Sequence, residues 1–223
     1  MVADPVVVTS GEAITAKLAG LVPVRALRGR NGTKADVLVY ETEGRRIAVK
    51  DYRERGFLAR NVIGRFLVRR ECRAYEAARG AAGLPPFLGR VGPFALATGW
   101  IEARPLSARD GQRLPDAIFD RLDAILLGLH AKGVALADLH HRDVLLSDGG
   151  EVHVVDLAAA VAGGPFFARA AAQDRLAAAR MRARFTGRSE EEALAALDPA
   201  SVAMWRRGRA AKRLWNRLRG KRA

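Results

Sequence analysis

The spacing of apolar positions changes character along this chain and divides it into elements. Thr9 followed by Glu12 has the form of a capping box and opens a short helix that ends near Gly20. Three β-branched or apolar runs follow: Val22-Pro23-Val24, Val37-Leu38-Val39-Tyr40 and Ile47-Ala48-Val49. The Gly29 to Gly32 loop and the Glu43-Gly44 turn separate them, which predicts an antiparallel meander. A helical stretch from roughly Leu58 to Ala78 is stopped by Leu84-Pro85-Pro86, and two more strands are predicted around Phe87–Val91 and Phe94–Ile101. Five strands and one helix make a small first lobe.

Beyond Pro105 the period becomes helical. Ile118, Leu122, Ile125, Leu126 and Leu129 share one face of a helix closed by Gly133. Val144-Leu145-Leu146 and Val152-His153-Val154-Val155 flank the Asp148-Gly149-Gly150 turn, a hairpin with a carboxylate at each end, Asp138 before it and Asp156 after it. Ala-rich helices are expected near Arg169–Arg184 and, capped by Ser189 with Glu192, near Glu190–Leu197. There is no internal repeat or low-complexity segment.

With 223 residues, 49% hydrophobic and 28% charged, the chain is neither disordered nor fibrous. The longest charge-free run, Leu157 to Ala168, is 12 residues and contains Gly163-Gly164-Pro165, too short for the ~20 apolar residues that span a bilayer. The single cysteine, Cys72, and a start without a basic, apolar leader lead to the expectation of a reducing, cytoplasmic setting. The net charge of +14 suggests an anionic partner, but its distribution matters more: nine bases and no acid lie between Pro199 and Ala223.

The candidate chemistry lies around the hairpin. Asp138-Leu139-His140-His141-Arg142-Asp143 resembles the D-L-x-x-x-N part of the protein-kinase catalytic loop, and Asp156 falls 18 residues after Asp138, as the metal-binding Asp does in that family. Ile47-Ala48-Val49-Lys50 resembles the V-A-I-K strand, with Glu71 on the next helix where the family places the partner of that lysine. Order and spacing agree over roughly residues 21 to 185. The compact second lobe is similar to bacterial RIO-type atypical kinases and to the kinases that phosphorylate Kdo or heptose of the lipopolysaccharide core.

The resemblance implies an α+β, two-lobed protein-kinase-like fold: a small antiparallel-sheet lobe over residues 21–104 and a compact, mainly helical lobe over 105–198, with an N-terminal extension, 1–20. It also implies an ATP-dependent phosphotransferase acting on a hydroxyl of a protein Ser/Thr or of a lipopolysaccharide-core sugar. In that reading Lys50, held by Glu71, grips the α- and β-phosphates, Gly29 and Gly32 contribute the phosphate loop, and Asp143 and Asp156 hold Mg²⁺ or Mn²⁺. Asp138 orients the acceptor hydroxyl, while Arg142 screens charge near the γ-phosphate. Asp174 resembles the structural Asp that hydrogen-bonds the catalytic-loop backbone.

Three departures keep a nucleotide- or partner-binding pseudokinase as the alternative. Asp143 stands where the family has Asn, D-F-G reads Asp156-Leu157-Ala158, and the phosphate loop has two glycines without the full G-x-G-x-x-G. Taken singly, Lys50 is a strand-end lysine, Glu71 a helix-surface acid, and Asp138 and Asp156 turn residues; joint order and spacing set them apart. His140 and His141 lack a third ligand at zinc-like spacing, so no zinc site is expected. His130 reads as a helix C-terminal cation or a packed imidazole and Cys72 as a packing residue.

Residues 199–223 form the fourth segment, a basic amphipathic helix with Met204, Trp215 and Leu218 on one face and Arg206, Arg209 and Arg213 on another. It either docks on the second lobe or lies on an anionic membrane surface, at the inner face of the cytoplasmic membrane. Nucleic acid is not expected, since stacking aromatics beyond Trp205 and Trp215 are missing from the basic segment.

Overall fold

Strand β3 (Arg45–Asp51) shows how the pattern becomes structure. Ile47 and Val49 turn into a core while Ala48 and Lys50 face the opposite way, the two-residue period of a sheet. The computed structural model describes residues 11–29, 32, 34–195, 197–200, 202, 203 and 205–207. Thr9 and most of the 199–223 segment, including Met204, Trp215 and Leu218, lie outside them.

Among the described residues, the first lobe is an antiparallel sheet of β1 (Arg25–Leu27), β2 (Asp36–Thr42), β3, β4 (Phe87–Val91) and β5 (Ala95–Gly99), in the order β1-β2-β3-β5-β4. Strand β3 is paired on both sides, with Lys50 opposite Val37 on β2 and Leu96 on β5. Helix α1 (Gly11–Leu18) covers one face and inserts Ile14 beside Tyr40, Ile47, Val49 and Val91. The first strand departs from expectation: pairing begins at Arg25–Leu27 instead of Val22–Val24, although the Val24 amide donates to the Val39 carbonyl at 2.8 Å. Every residue of this edge strand is exposed, so apolar content does not mark it.

The expected 58–78 helix has two parts. Wide i→i+5 turns over Ala59–Gly64 lead into α2 (Arg65–Ala77). The entry passes so close to Tyr52, the residue after β3, that a Cβ on Gly64 would lie 2.8 Å from its side-chain atoms, so a glycine is required there. Val68, Glu71, Cys72 and Tyr75, spaced i, +3, +4, +7, form the buried stripe of α2.

The second lobe is built on α3 (Asp116–Ala131) and α4 (Phe167–Thr186). Two small sheets accompany them: a three-stranded one with β8 (Val144–Leu146) between β6 (Arg104–Pro105) and β9 (Val152–Val154), and a pair of β7 (Val134–Ala135) with β10 (Val161–Ala162). Helix α4 stops at Gly187, whose φ of 78° is the left-handed cap that glycine adopts freely. The capping box before α5 (Glu190–Ala195) forms as expected: Ser189 Oγ accepts from the Glu192 amide and Glu192 Oε2 from the Ser189 amide, each at 3.1 Å. That helix ends two residues before the expected Leu197. One apolar core runs from Tyr52, Val68 and Leu96 through Leu129, Val154 and Leu157 to Phe185, so both lobes share a continuous interior. No helix among the described residues is long and apolar enough to cross a membrane.

Candidate active site

Three parts of the fold meet at one ammonium group: β3, α2 and the turn after β9. Lys50 Nζ lies 2.8 Å from Glu71 Oε2 and 2.7 Å from Asp156 Oδ1. Each partner arrives for a local reason. Lys50 is on the side of β3 away from the α1 core, and Glu71 is the acid within the buried stripe of α2, where an unpaired carboxylate would be costly. Glu71 is satisfied at both oxygens, since Oε1 accepts from the Leu157 amide at 3.2 Å. Asp156, with φ of 69°, follows β9 and accepts from the Ala158 amide at 3.2 Å. The turn that presents Asp156 is therefore tied back to α2.

A second clamp reinforces it. Arg70 donates from Nε to the Ala160 carbonyl at 3.0 Å and from Nη2 to the Ala159 carbonyl at 2.6 Å. No periodic or motif signal distinguishes this arginine from the others on α2, so sequence reasoning passes over it.

The electrostatics follow from placement. Burial works to lower the Lys50 ammonium, but the charges of Glu71 and Asp156 outweigh it and keep the group protonated far into the basic range. Burial works to raise the Asp156 carboxyl, yet the adjacent Lys50 charge and hydrogen bond hold it below the usual carboxylate range. Asp143 has no cation paired with it as Lys50 is with Asp156: burial and then the negative charge of Asp156 push its carboxyl up to about 6, against weaker opposing pulls from His140 and Arg142. Its ionisation therefore opposes folding. The cost appears as pH rises through the interval from the ordinary carboxylate value to about 6 and persists above it. Asp143→Asn is expected to stabilise the protein by about 1–2 kcal/mol near pH 8, after allowance for solvent screening, and by nothing near pH 4. Thermal melts of both proteins at the two pH values check this; an equal gain at both would remove the burial of an ionised carboxylate, and its repulsion by Asp156, as the cause.

The catalytic-loop candidate is fastened from below. Asp174, fully buried on α4, accepts the Leu136 amide at 2.7 Å and the Ala137 amide at 2.8 Å, and His130 Nε2 lies 3.0 Å from its Oδ2. His130, edge-on to Phe167, is thus packed against the carboxylate. Ala137 has φ of 64°, an unfavourable setting for a residue with a Cβ, and the two amide bonds to Asp174 hold it there. Asp138 then emerges largely exposed, with His140 Nε2 at 3.2 Å from its Oδ1. The Asp143 carbonyl accepts the Val155 amide at 2.8 Å, joining the two ends of the β8–β9 hairpin.

A cleft of about 820 Å³ opens between the lobes, lined by Lys50, Glu71, Arg142, Asp143 and Asp156 at its charged end. Leu27, Val37, Ala48, Ile101 and Leu145 supply apolar walls. At the rim Trp100 Nε1 donates to Glu102 Oε2 at 2.7 Å, Arg46 reaches the same oxygen at 3.1 Å, and Arg25 lies over the Trp100 ring. These wall and rim residues carry no motif and come together only in the fold.

The remaining candidates fall elsewhere. Asp138 is not among the lining residues, and neither Gly29 nor Gly32 is. Gly29 donates its amide at 2.8 Å to buried Asp36, which also binds Arg28 and Arg55. A Cβ on Gly29 would lie 2.6 Å from the Lys34 and Ala35 carbonyl oxygens, so this glycine permits a close backbone approach. Gly32 has open space around it. Cys72 is buried in the core with its thiol pushed up to about 12, mainly by burial, as a packing residue would be. Among the described residues no three His, Cys, Asp or Glu side chains gather to hold a metal.

No family model matches the chain, and no curated protein sequence does. Its structure is similar to that of the Rio2 kinase from Chaetomium thermophilum, solved as an ADP/Mg²⁺-phosphoaspartate complex. The TM-score is 0.59 and the identity 17%, over 93% of this chain and 73% of that one. The likeness, together with the five-stranded antiparallel sheet and the helical lobe on either side of the Lys50–Glu71–Asp156 cluster, shows a two-lobed protein-kinase-like fold.

Proposed function

We propose that the chain is an ATP-dependent phosphotransferase that moves the γ-phosphate to a hydroxyl acceptor, a protein Ser/Thr or a lipopolysaccharide-core sugar. Residues 21–104 then bind the nucleotide and 105–198 carry the catalytic loop. The observation that carries this reading is the convergence of Lys50, Glu71 and Asp156 within 2.8 Å contacts at one end of an apolar-walled cleft, with Asp143 beside them.

The donor set suits Mg²⁺ or Mn²⁺ bound together with phosphates. Burial, and after it the charge of Asp156, raises the Asp143 carboxyl, yet no third ligand is gathered with these two carboxylates among the described residues. Mg²⁺ takes one or two carboxylates and completes its shell with phosphate oxygens and water. Bound there, the cation would neutralise charge on the phosphates as the bond to the γ-phosphate breaks. Lys50, kept protonated, grips the α- and β-phosphates, and Glu71 fixes its position from the helix side. Asp138, exposed on the fastened loop, accepts a hydrogen bond from the acceptor hydroxyl and aligns it. Arg142 at the cleft screens negative charge near the transferred group. Gly29 and Gly32 shape the loop over the phosphates.

Residues 157–166 are all that separate Asp156 from α4, and part of this stretch is spent pairing β10 with β7. A peptide-docking platform has little chain to form from, which supports a small or sugar hydroxyl. The pseudokinase reading draws on the direct Lys50–Asp156 pair, which nucleotide phosphates must displace, and on Asp143 and Ala158.

Lys50→Ala is expected to weaken ATP binding about 10- to 100-fold in calorimetry with Mg²⁺ or Mn²⁺, because a charge-assisted phosphate contact is lost. Undetectable binding by the unaltered protein would remove the nucleotide-binding reading. Radiolabelled ATP offered with a cell-envelope extract and with a protein extract separates the acceptor classes, and ATP binding without transfer to either pool leaves the pseudokinase.

A further inference from the structure

An apolar surface lies outside the cleft. Phe57, Leu58, Val62 and Phe66 are each between 61% and 73% exposed, and Ile63 joins them at 38%. Single exposed apolar side chains are ordinary, but five within ten residues of one helical entry make a contiguous patch with its own meaning. The wide turns over Ala59–Gly64 create it: Gly64 and Val68 face the protein while this set is turned outward.

Within the stretch that carries the patch the charges have one sign. From Arg55 to Arg70 the sequence holds five arginines and no acid. Arg55 and Arg70 are engaged by Asp36 and by the Ala159 and Ala160 carbonyls, whereas Arg65 and Arg69 are exposed beside the apolar set, followed by exposed Arg73. Arg60 and Arg65 lie over the Phe94 ring at 5.5 and 5.8 Å, which holds their charge next to the patch.

We propose that this face, Phe57 to Phe66 with Arg60, Arg65 and Arg69, is a docking surface for an anionic lipid bilayer. Phenylalanine and aliphatic side chains enter the boundary between headgroups and acyl chains while the arginines meet the phosphates. A second copy using the same face would bring the arginines of the two chains against one another with no acid between Arg55 and Arg70 to compensate, so the charge pattern favours a lipid surface over self-association. The surface belongs to the first lobe and does not depend on phosphoryl transfer.

A Val62→Cys variant of the full chain, labelled with a polarity-sensitive fluorophore, reports directly on the patch, because buried Cys72 with its raised thiol does not compete for label. Its emission is expected to shift to the blue with phosphatidylglycerol-containing vesicles and not with neutral phosphatidylcholine vesicles. The shift should reverse as salt approaches 1 M, where the screening length is about 3 Å. Phe57→Ser/Phe66→Ser should lower affinity for anionic vesicles at least about tenfold while leaving ATP affinity unchanged, since two inserted rings are lost outside the cleft. An emission that stays at its aqueous value while the protein sediments with vesicles would assign binding to another segment and overturn the proposal. A blue shift without vesicles, rising with protein concentration and accompanied by a dimer mass in light scattering, would overturn it in favour of a second copy. Equal vesicle affinity of the double variant and the unaltered protein would also overturn it.

Discussion

Asp138→Asn is expected to lower phosphoryl transfer by about 10²- to 10⁴-fold, the range for loss of a positioned base, while leaving ATP affinity within about twofold. The asymmetry follows from placement. Asp138 is exposed on its loop, is not part of the cleft lining, and pairs with His140, so it stands apart from Lys50 and Glu71, which are proposed to hold the nucleotide. Asp156→Asn should behave differently and reduce both transfer and metal-dependent ATP affinity. This residue is a ligand of the proposed cation and the 2.7 Å partner of Lys50. Calorimetry and single-turnover transfer measured on the same preparations separate the two. If Asp138→Asn transfers phosphate at the unaltered rate, Asp138 is not the acceptor-orienting group; if Asp156→Asn binds Mg²⁺ and ATP normally, the metal assignment fails.

The second large effect concerns stability. Asp174→Ala is expected to cost about 3–5 kcal/mol, because a buried carboxylate that accepts two amide hydrogen bonds disappears and leaves the Leu136 and Ala137 N–H groups without acceptors. For a chain of this size that corresponds to a fall in Tm on the order of 10 °C. Asp174→Asn keeps one acceptor oxygen and should lose less. The loop would loosen as well, since Ala137 holds a left-handed conformation only while those amides are tied down. Urea unfolding gives the magnitude. A loss below about 1 kcal/mol would mean that the buried bonds are replaced by solvent in the variant.

The principal elements and the polar residues of the central cluster were legible in the sequence. Strand β3 alternates Ile47 and Val49 with Ala48 and Lys50, and α3 repeats its apolar face from Ile118 to Leu129; these periods are local consequences of strand and helix geometry. Lys50, Glu71 and Asp156 could be singled out because their types and intervals match one family pattern. The capping box at Ser189 and Glu192 is likewise a short-range device that four residues specify.

Other features had no local signature. The first strand begins at Arg25 because it is an exposed edge, selected by its pairing with β2 and not by burial of its own side chains. The wide turns before α2 arise where Gly64 passes Tyr52, a contact set by how the helix crosses the sheet. Arg70 became a clamp, and Trp100 and Glu102 a rim, only when distant segments met. Charge environment is also a property of assembly. Residue type does not set the carboxyl of Asp143 apart from that of Asp156, yet burial and repulsion raise the first while Lys50 lowers the second. Periodicity is written along the chain; which groups are dry, and which charges stand within 3 Å of one another, is decided by packing.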